Sequence, residues 1–123
     1  MFYKAKDPKT GNMWDVWMYY HEGTCYLYTL CNSGKEGWDN FSMAKSSDGV
    51  HWQELGPVIT KDPGTKWMGT GSTWANPVRG GKPPFQINFS LWAGERQTIF
   101  FAQSDDLVHW KKCGREKEFV QDE

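Results

Sequence analysis

No apolar stretch in the 123-residue chain approaches the roughly 20 residues of a bilayer-spanning helix, so a helical membrane span is excluded. The opening residues, Met1-Phe2-Tyr3-Lys4-Ala5-Lys6-Asp7, lack an apolar core followed by a small-residue cleavage site. No secretory leader is therefore expected, and the expected location is cytoplasmic, away from membranes. Charge of one sign is missing too. Fourteen basic residues stand against 15 acidic ones, a net charge of −1, without the positive excess of a nucleic-acid-binding surface. Cysteine is scarce: Cys25, Cys31 and Cys113 are too few and too odd in number for a disulfide scaffold. Cys25 and Cys31 share one strand-like run, where six extended residues hold them roughly 20 Å apart, beyond bridging distance. His21, His51 and His109 are scattered, so no metal-ligand spacing appears and neither metal nor cofactor is expected. Alanine and leucine, the strongest helix formers, are sparse.

Aromatic residues are abundant instead, at 16%, with eight Trp, five Tyr and seven Phe. Thirteen Gly and six Pro cut the aromatic and β-branched runs into short pieces. Such a chain reads as all-β with many short strands. Most of these rings are expected in the core. Aromatic faces also stack on sugar rings, which makes a carbohydrate a candidate ligand.

The strand-like runs come in a repeated order. Met13 to Tyr20 is apolar on both faces, as a strand buried on both sides would be. His21-Glu22-Gly23-Thr24 turns the chain into Cys25 to Leu30. After a loop, Phe41 to Ser46 alternates, and Ser47-Asp48-Gly49 leads to a short outer strand around His51 to Leu55. Met43-Ala44-Lys45-Ser46-Ser47-Asp48-Gly49-Val50-His51-Trp52 then recurs without a gap from Phe101 to Trp110, an offset of 58 residues. With a one-residue slip, Trp14-Asp15-Val16-Trp17 falls on Gly71-Ser72-Thr73-Trp74, and Phe85 to Trp92 takes the place of Cys25 to Leu30. A four-stranded antiparallel unit recurring every ~40–60 residues has the form of a propeller blade. A small β-sandwich with two similar halves is the alternative. The expected domain is thus a single one over 1–123, with blade one at about 13–59 and blade two at about 67–120. Closed propellers use about four to eight blades, so two imply either a piece of a larger propeller or a homo-oligomer.

Residues that recur in both units are expected to be scaffold. Asp48 and Asp106 sit in tight turns, where a carboxylate accepts backbone N–H bonds. Trp52 and Trp110 begin the outer strands and are expected to plug the gaps between blades. Asp15 is different: it lies in an aromatic strand, and its counterpart in the second unit is read as Ser72. A carboxylate there needs a hydrogen bond or an open, wet site.

Met13-Trp14-Asp15-Val16-Trp17-Met18-Tyr19-Tyr20-His21-Glu22-Gly23, followed by Tyr26-Leu27-Tyr28, resembles the opening of the five-bladed propeller glycosidases. These are glycoside hydrolase family 32 and its relatives in families 43 and 68. Their Ser-x-Asp-x-x-x-Trp segment is similar to Ser46-Ser47-Asp48-Gly49-Val50-His51-Trp52, and their second-blade Ser-Gly-Ser element to Thr70-Gly71-Ser72. The resemblance spans Met13 to Trp110 but covers only the first two blades. It implies that Asp15 matches the first-blade aspartate, the nucleophile in family 32 and the general base in family 43. Such enzymes set two carboxyl groups about the scissile bond. The family's Asn-Asp-Pro-Asn-Gly is replaced here by Trp14-Asp15-Val16-Trp17-Met18. The third-blade Arg-Asp-Pro and fourth-blade Glu-Cys elements have no counterpart. Glu95, in a Gly-containing hairpin, is the substitute acid available.

The expected function is therefore a glycoside hydrolase-like chain that acts on or binds a carbohydrate but is catalytically incomplete alone. Asp15 is the catalytic candidate. Trp14, Trp17, Trp38 and Trp74 are candidate sugar platforms, and Ser72, Asn88 and Ser90 candidate hydroxyl binders. The alternatives are a non-catalytic carbohydrate-binding module and a truncated propeller completed by self-association.

Overall fold

A computed structural model describes residues 3–34, 37–92 and 94–120. Turn chemistry divides the aromatic runs as the sequence suggests. Glu22 and Gly23, with φ of 44° and 81°, form a two-residue hairpin turn, which needs positive φ at both positions. On either side lie β1 (Asn12–His21) and β2 (Thr24–Asn32), followed by β3 (Asn40–Ser46) and β4 (Gln53–Thr60). The second series is β5 (Trp67–Ala75), β6 (Phe85–Trp92), β7 (Gln97–Ser104) and β8 (Lys111–Lys112), with a 3-10 turn at Arg115–Lys117. The chain is all-β: two four-stranded antiparallel sheets, ordered β1-β2-β3-β4 and β5-β6-β7-β8.

The sheets pack face to face. Leu30, Phe41 and Ile59 of the first meet Met68, Ile87, Phe89, Leu91 and Phe100 of the second in one buried cluster. Phe41 stands edge-on to Phe89, with ring centroids 5.4 Å apart, a favoured aromatic geometry. Side-chain hydrogen bonds also cross this seam. Trp17 Nε1 donates to Thr73 Oγ1 at 3.0 Å, and the Tyr28 hydroxyl donates to the Leu107 carbonyl at 2.7 Å.

The 58-residue repeat has a common physical cause in its two loops. Asp48 Oδ1 accepts the N–H groups of Val50 and His51, and its Oδ2 takes His51 Nδ1 at 2.7 Å. Asp106 does the same with Val108, His109 and the His109 ring, the last at 2.6 Å. Ser46 and Ser104 complete each loop by hydrogen-bonding the aspartate. The bond from the His51 ring, then those from the backbone, hold the Asp48 carboxyl well below the usual range. Burial opposes ionisation at Asp106, but the His109 ring and the backbone N–H groups outweigh it, and its pKa is low as well.

Three expectations are corrected. β1 is not buried on both faces, since Val16, Met18 and Tyr20 are 56%, 60% and 66% exposed. Their face of the sheet is covered only in part, by the segment before β1. There Lys6 and Asp7 donate backbone N–H groups to Glu54 and Thr10 is buried. The first outer strand is longer than expected, reaching Thr60, and pairs with β3 from Asn40 to Lys45. The counterpart of Asp15 is Thr70, not Ser72. Both inner strands carry a bulge, between Met13 and Val16 and between Met68 and Gly71, which aligns Val16 with Gly71. Matching Trp17 to Trp74 ignores this, because Trp74 stands where Tyr19 does.

Candidate functional site

A bulge leaves residues out of the ladder and re-aims their side chains. Asp15 and Thr70 occupy the two bulges of neighbouring strands β1 and β5, and Thr70 Oγ1 donates to Asp15 Oδ2. Asp15 Oδ1 takes no hydrogen bond from any described residue. The carboxylate thus stays exposed, with lone pairs free for a ligand donor.

Two indole pairs stand near this point, and Trp14, Trp38 and Trp67 of them line the space beside Asp15. Trp14, 62% exposed, lies against Trp38 with ring centroids 5.1 Å apart and planes inclined by 31°. Trp67 stacks on Trp92 at 5.7 Å and 24°, across the directly paired ends of β5 and β6. Between Trp14, Trp38 and Trp67 opens a cleft of about 390 Å³, with Asp15 and Thr70 in its lining and Leu30 and Met68 as apolar floor. Glycine brings its walls together. Gly37 has φ +73°, and a Cβ there would stand 2.7 Å from the Lys66 carbonyl and 3.1 Å from Trp67 Cβ. The next residue, Trp38, accepts the Met68 N–H on its carbonyl at 2.8 Å, fixing the two sheets at the cleft.

Trp14, Asp15 and Trp38 are the candidate residues gathered here. Trp17 is taken up by the seam between the sheets, stacked on Tyr28 and edge-on to Phe41. Ser72, Trp74 and Asn88 form a separate cluster on the opposite face of the second sheet. There Ser72 Oγ and Trp74 Nε1 both donate to Asn88 Oδ1, at 2.7 and 3.1 Å. Ser90 is nearly buried, its Oγ 2.1 Å from where a Cβ on Gly69 would lie. Glu95 is exposed in the turn between β6 and β7, at the same end of the sheet as Trp92. Sequence reasoning missed Trp67 and Thr70. Both lie before the segment in which the repeat aligns cleanly, and their placement depends on the second bulge.

A larger groove, about 710 Å³, lies on the other face of the first sheet, lined by Tyr3, Val16, Leu27, Val50, Trp52 and Glu54. Burial, and then the charge of Glu54, push the Tyr3 phenol up to about 12. This groove sets apolar side chains beside the charged Lys4, Lys6 and Glu54. The smaller cleft combines an exposed carboxylate with indole surfaces.

Among the described residues, no group of three or more His, Cys, Asp or Glu side chains gathers as a metal site. No helix among them is long and apolar enough to cross a membrane. No family model and no curated protein matches the chain.

Proposed function

We propose that the chain binds carbohydrate in the Trp14–Trp38–Trp67 cleft, as a portion of a glycosidase-like propeller whose two sheets are successive blades. The observation that carries this reading is the exposed Asp15 carboxylate, hydrogen-bonded by Thr70 and bounded by paired indoles. Sugars present apolar C–H faces and hydroxyl donors. Indole surfaces match the first and a carboxylate the second. The shared bulge in β1 and β5 supports the blade reading, since it gives the two inner strands the same local path.

In a glycosidase, Asp15 would be the nucleophile or base. Among the described lining residues it is the only acid, which favours binding over turnover in this chain alone. General acid catalysis commonly contributes ~10²–10⁴-fold, so a site with one carboxylate would turn over slowly. The unbridged thiols Cys25, Cys31 and Cys113 fit a reducing, cytoplasmic setting.

The test is a tryptophan-fluorescence and calorimetric titration with a panel of β-fructosides, arabinosides and xylosides. At least one is expected to bind, with Asp15→Asn and Trp14→Ala each weakening it about tenfold or more and leaving the fold intact. Absence of binding across the panel, or unaltered affinity in both variants, would overturn the assignment. Robust hydrolysis by the purified chain would show that a second carboxyl group reaches the cleft.

A further inference from the structure

Val16, Met18 and Tyr20 alternate along one face of β1, with Leu27 directly opposite Met18 and Val50 exposed beside them. This is the largest gathering of exposed apolar side chains among the described residues. In the second sheet the bulge register puts Gly71, Thr73 and Ala75 at the same positions, and there Gly71 and Thr73 meet the first sheet. Trp17 reaches across to Thr73, and its ring lies 3.4 Å from where a Cβ on Gly71 would stand. Within the chain, Trp17 of the first sheet thus enters at the small residues of β5, beside Phe89 and Ile87 on the same face.

The two remaining open faces invert those sizes at several positions, while Trp74 keeps a large ring where the first sheet has Tyr19. The outward face of the second sheet carries Ser72 where the first sheet has Trp17, and Asn88 where it has Tyr28. It keeps an apolar stripe in Ile99 and Phe101, paired with Ser90 and Asn88. Opposed to it, the open face of the first sheet has Val16, Met18 and Tyr20 in place of Gly71, Thr73 and Ala75. One slot is filled in advance. Tyr28 lies 5.9 Å from Trp110 across the internal seam, and Tyr3 lies 5.7 Å from the equivalent Trp52. A docking sheet therefore needs a short side chain at the Tyr28 position, and Asn88 supplies one.

We propose that the outward face of the second sheet in one copy docks on the open face of the first sheet in another. The occupant is a second copy of this chain, held head to tail by a repetition of the internal sheet-to-sheet step. Head-to-tail contacts of this kind give rings when the rotation closes.

Sedimentation velocity across the micromolar range tests this with the parent chain and variants on each face. Met18→Glu alters the first face and Phe101→Glu the second, with Gln103→Glu as a gentler change on the second should Phe101→Glu fail to fold by circular dichroism. The parent is expected to sediment as a multiple of the monomer mass. Each variant alone should dissociate at concentrations at least about tenfold higher than the parent, because a charge is forced into an apolar contact. An equimolar mixture of the two classes should regain a two-copy species, since each supplies the face that the other has lost. A monomeric parent would overturn the proposal. So would association that Met18→Glu abolishes while both second-face variants leave it unchanged, the signature of first-sheet faces pairing with themselves.

Discussion

At Asp106 one carboxylate satisfies two backbone N–H groups and a histidine ring, and its partner loop at Asp48 repeats the arrangement. Both carboxyls titrate below the ordinary range, Asp106 despite its partial burial and Asp48 chiefly through the His51 ring. With native pKa values below the unfolded value of roughly 4, the unfolded chain binds more protons in acid, and stability falls as pH drops through that region. The contribution is complete above about pH 4 and is lost progressively below it. Melting temperatures measured between pH 7 and pH 2 should show this decline. In Asp106→Asn the decline should be shallower and stability at pH 7 lower, because the charge-assisted bonds are gone. An unchanged acid limb in that variant would show that the loop carboxylate is not what the native state protects.

At the scale of the elements, the two units share a plan but not an environment. Trp52 and Trp110 precede β4 and β8 at equivalent points of the repeat, which suggests equal roles. Trp110 packs against the inter-sheet cluster, edge-on to Tyr28, with its Nε1 donating to the Leu107 carbonyl. Leu107 holds φ +65° although it is not glycine. Its side chain is buried and its carbonyl takes the Tyr28 hydroxyl as well, which offsets the cost of that backbone conformation. Among the described residues Trp52 has a ring contact with Tyr3 alone, and it borders the open groove. Trp110→Ala is therefore expected to cost about 3 kcal/mol, near the lower limit for an aromatic deletion in a core, and Trp52→Ala less than about 2 kcal/mol. Urea denaturation of the two variants checks the difference, and equal losses would mean that the outer face of the first sheet is as well packed as the seam.

For the whole molecule, the shared cluster makes each sheet a condition for the other. Phe41 and Phe89 are essentially inaccessible to solvent only because the sheets meet. Lys112 in β8 reaches back to the Thr60 carbonyl and to the Asp62 carboxylate beyond β4, closing the far edge of the contact. The chain should accordingly unfold as one unit. Tryptophan fluorescence and far-ultraviolet circular dichroism are expected to report the same urea midpoint, as a two-state transition requires. Separate midpoints would indicate that one sheet survives the loss of its neighbour.

The sequence by itself determined the all-β class, the two-unit division and the Ser-x-Asp-x-x-His-Trp loops, because these depend on strand propensity and on contacts a few residues apart. Asp15 also stood out locally, as an acid within an aromatic strand. Only the tertiary structure decided that Thr70 is its partner and that Trp67 is a wall of its cleft. Those contacts join residues more than fifty positions apart through two bulges, and a bulge shifts register without altering the apolar pattern that sequence reading follows. The same limit accounts for Trp17 and for the open face of β1. Both faces of that strand are apolar, so composition cannot distinguish the one that meets the second sheet from the one left open. That choice belongs to the packing of one sheet on the other.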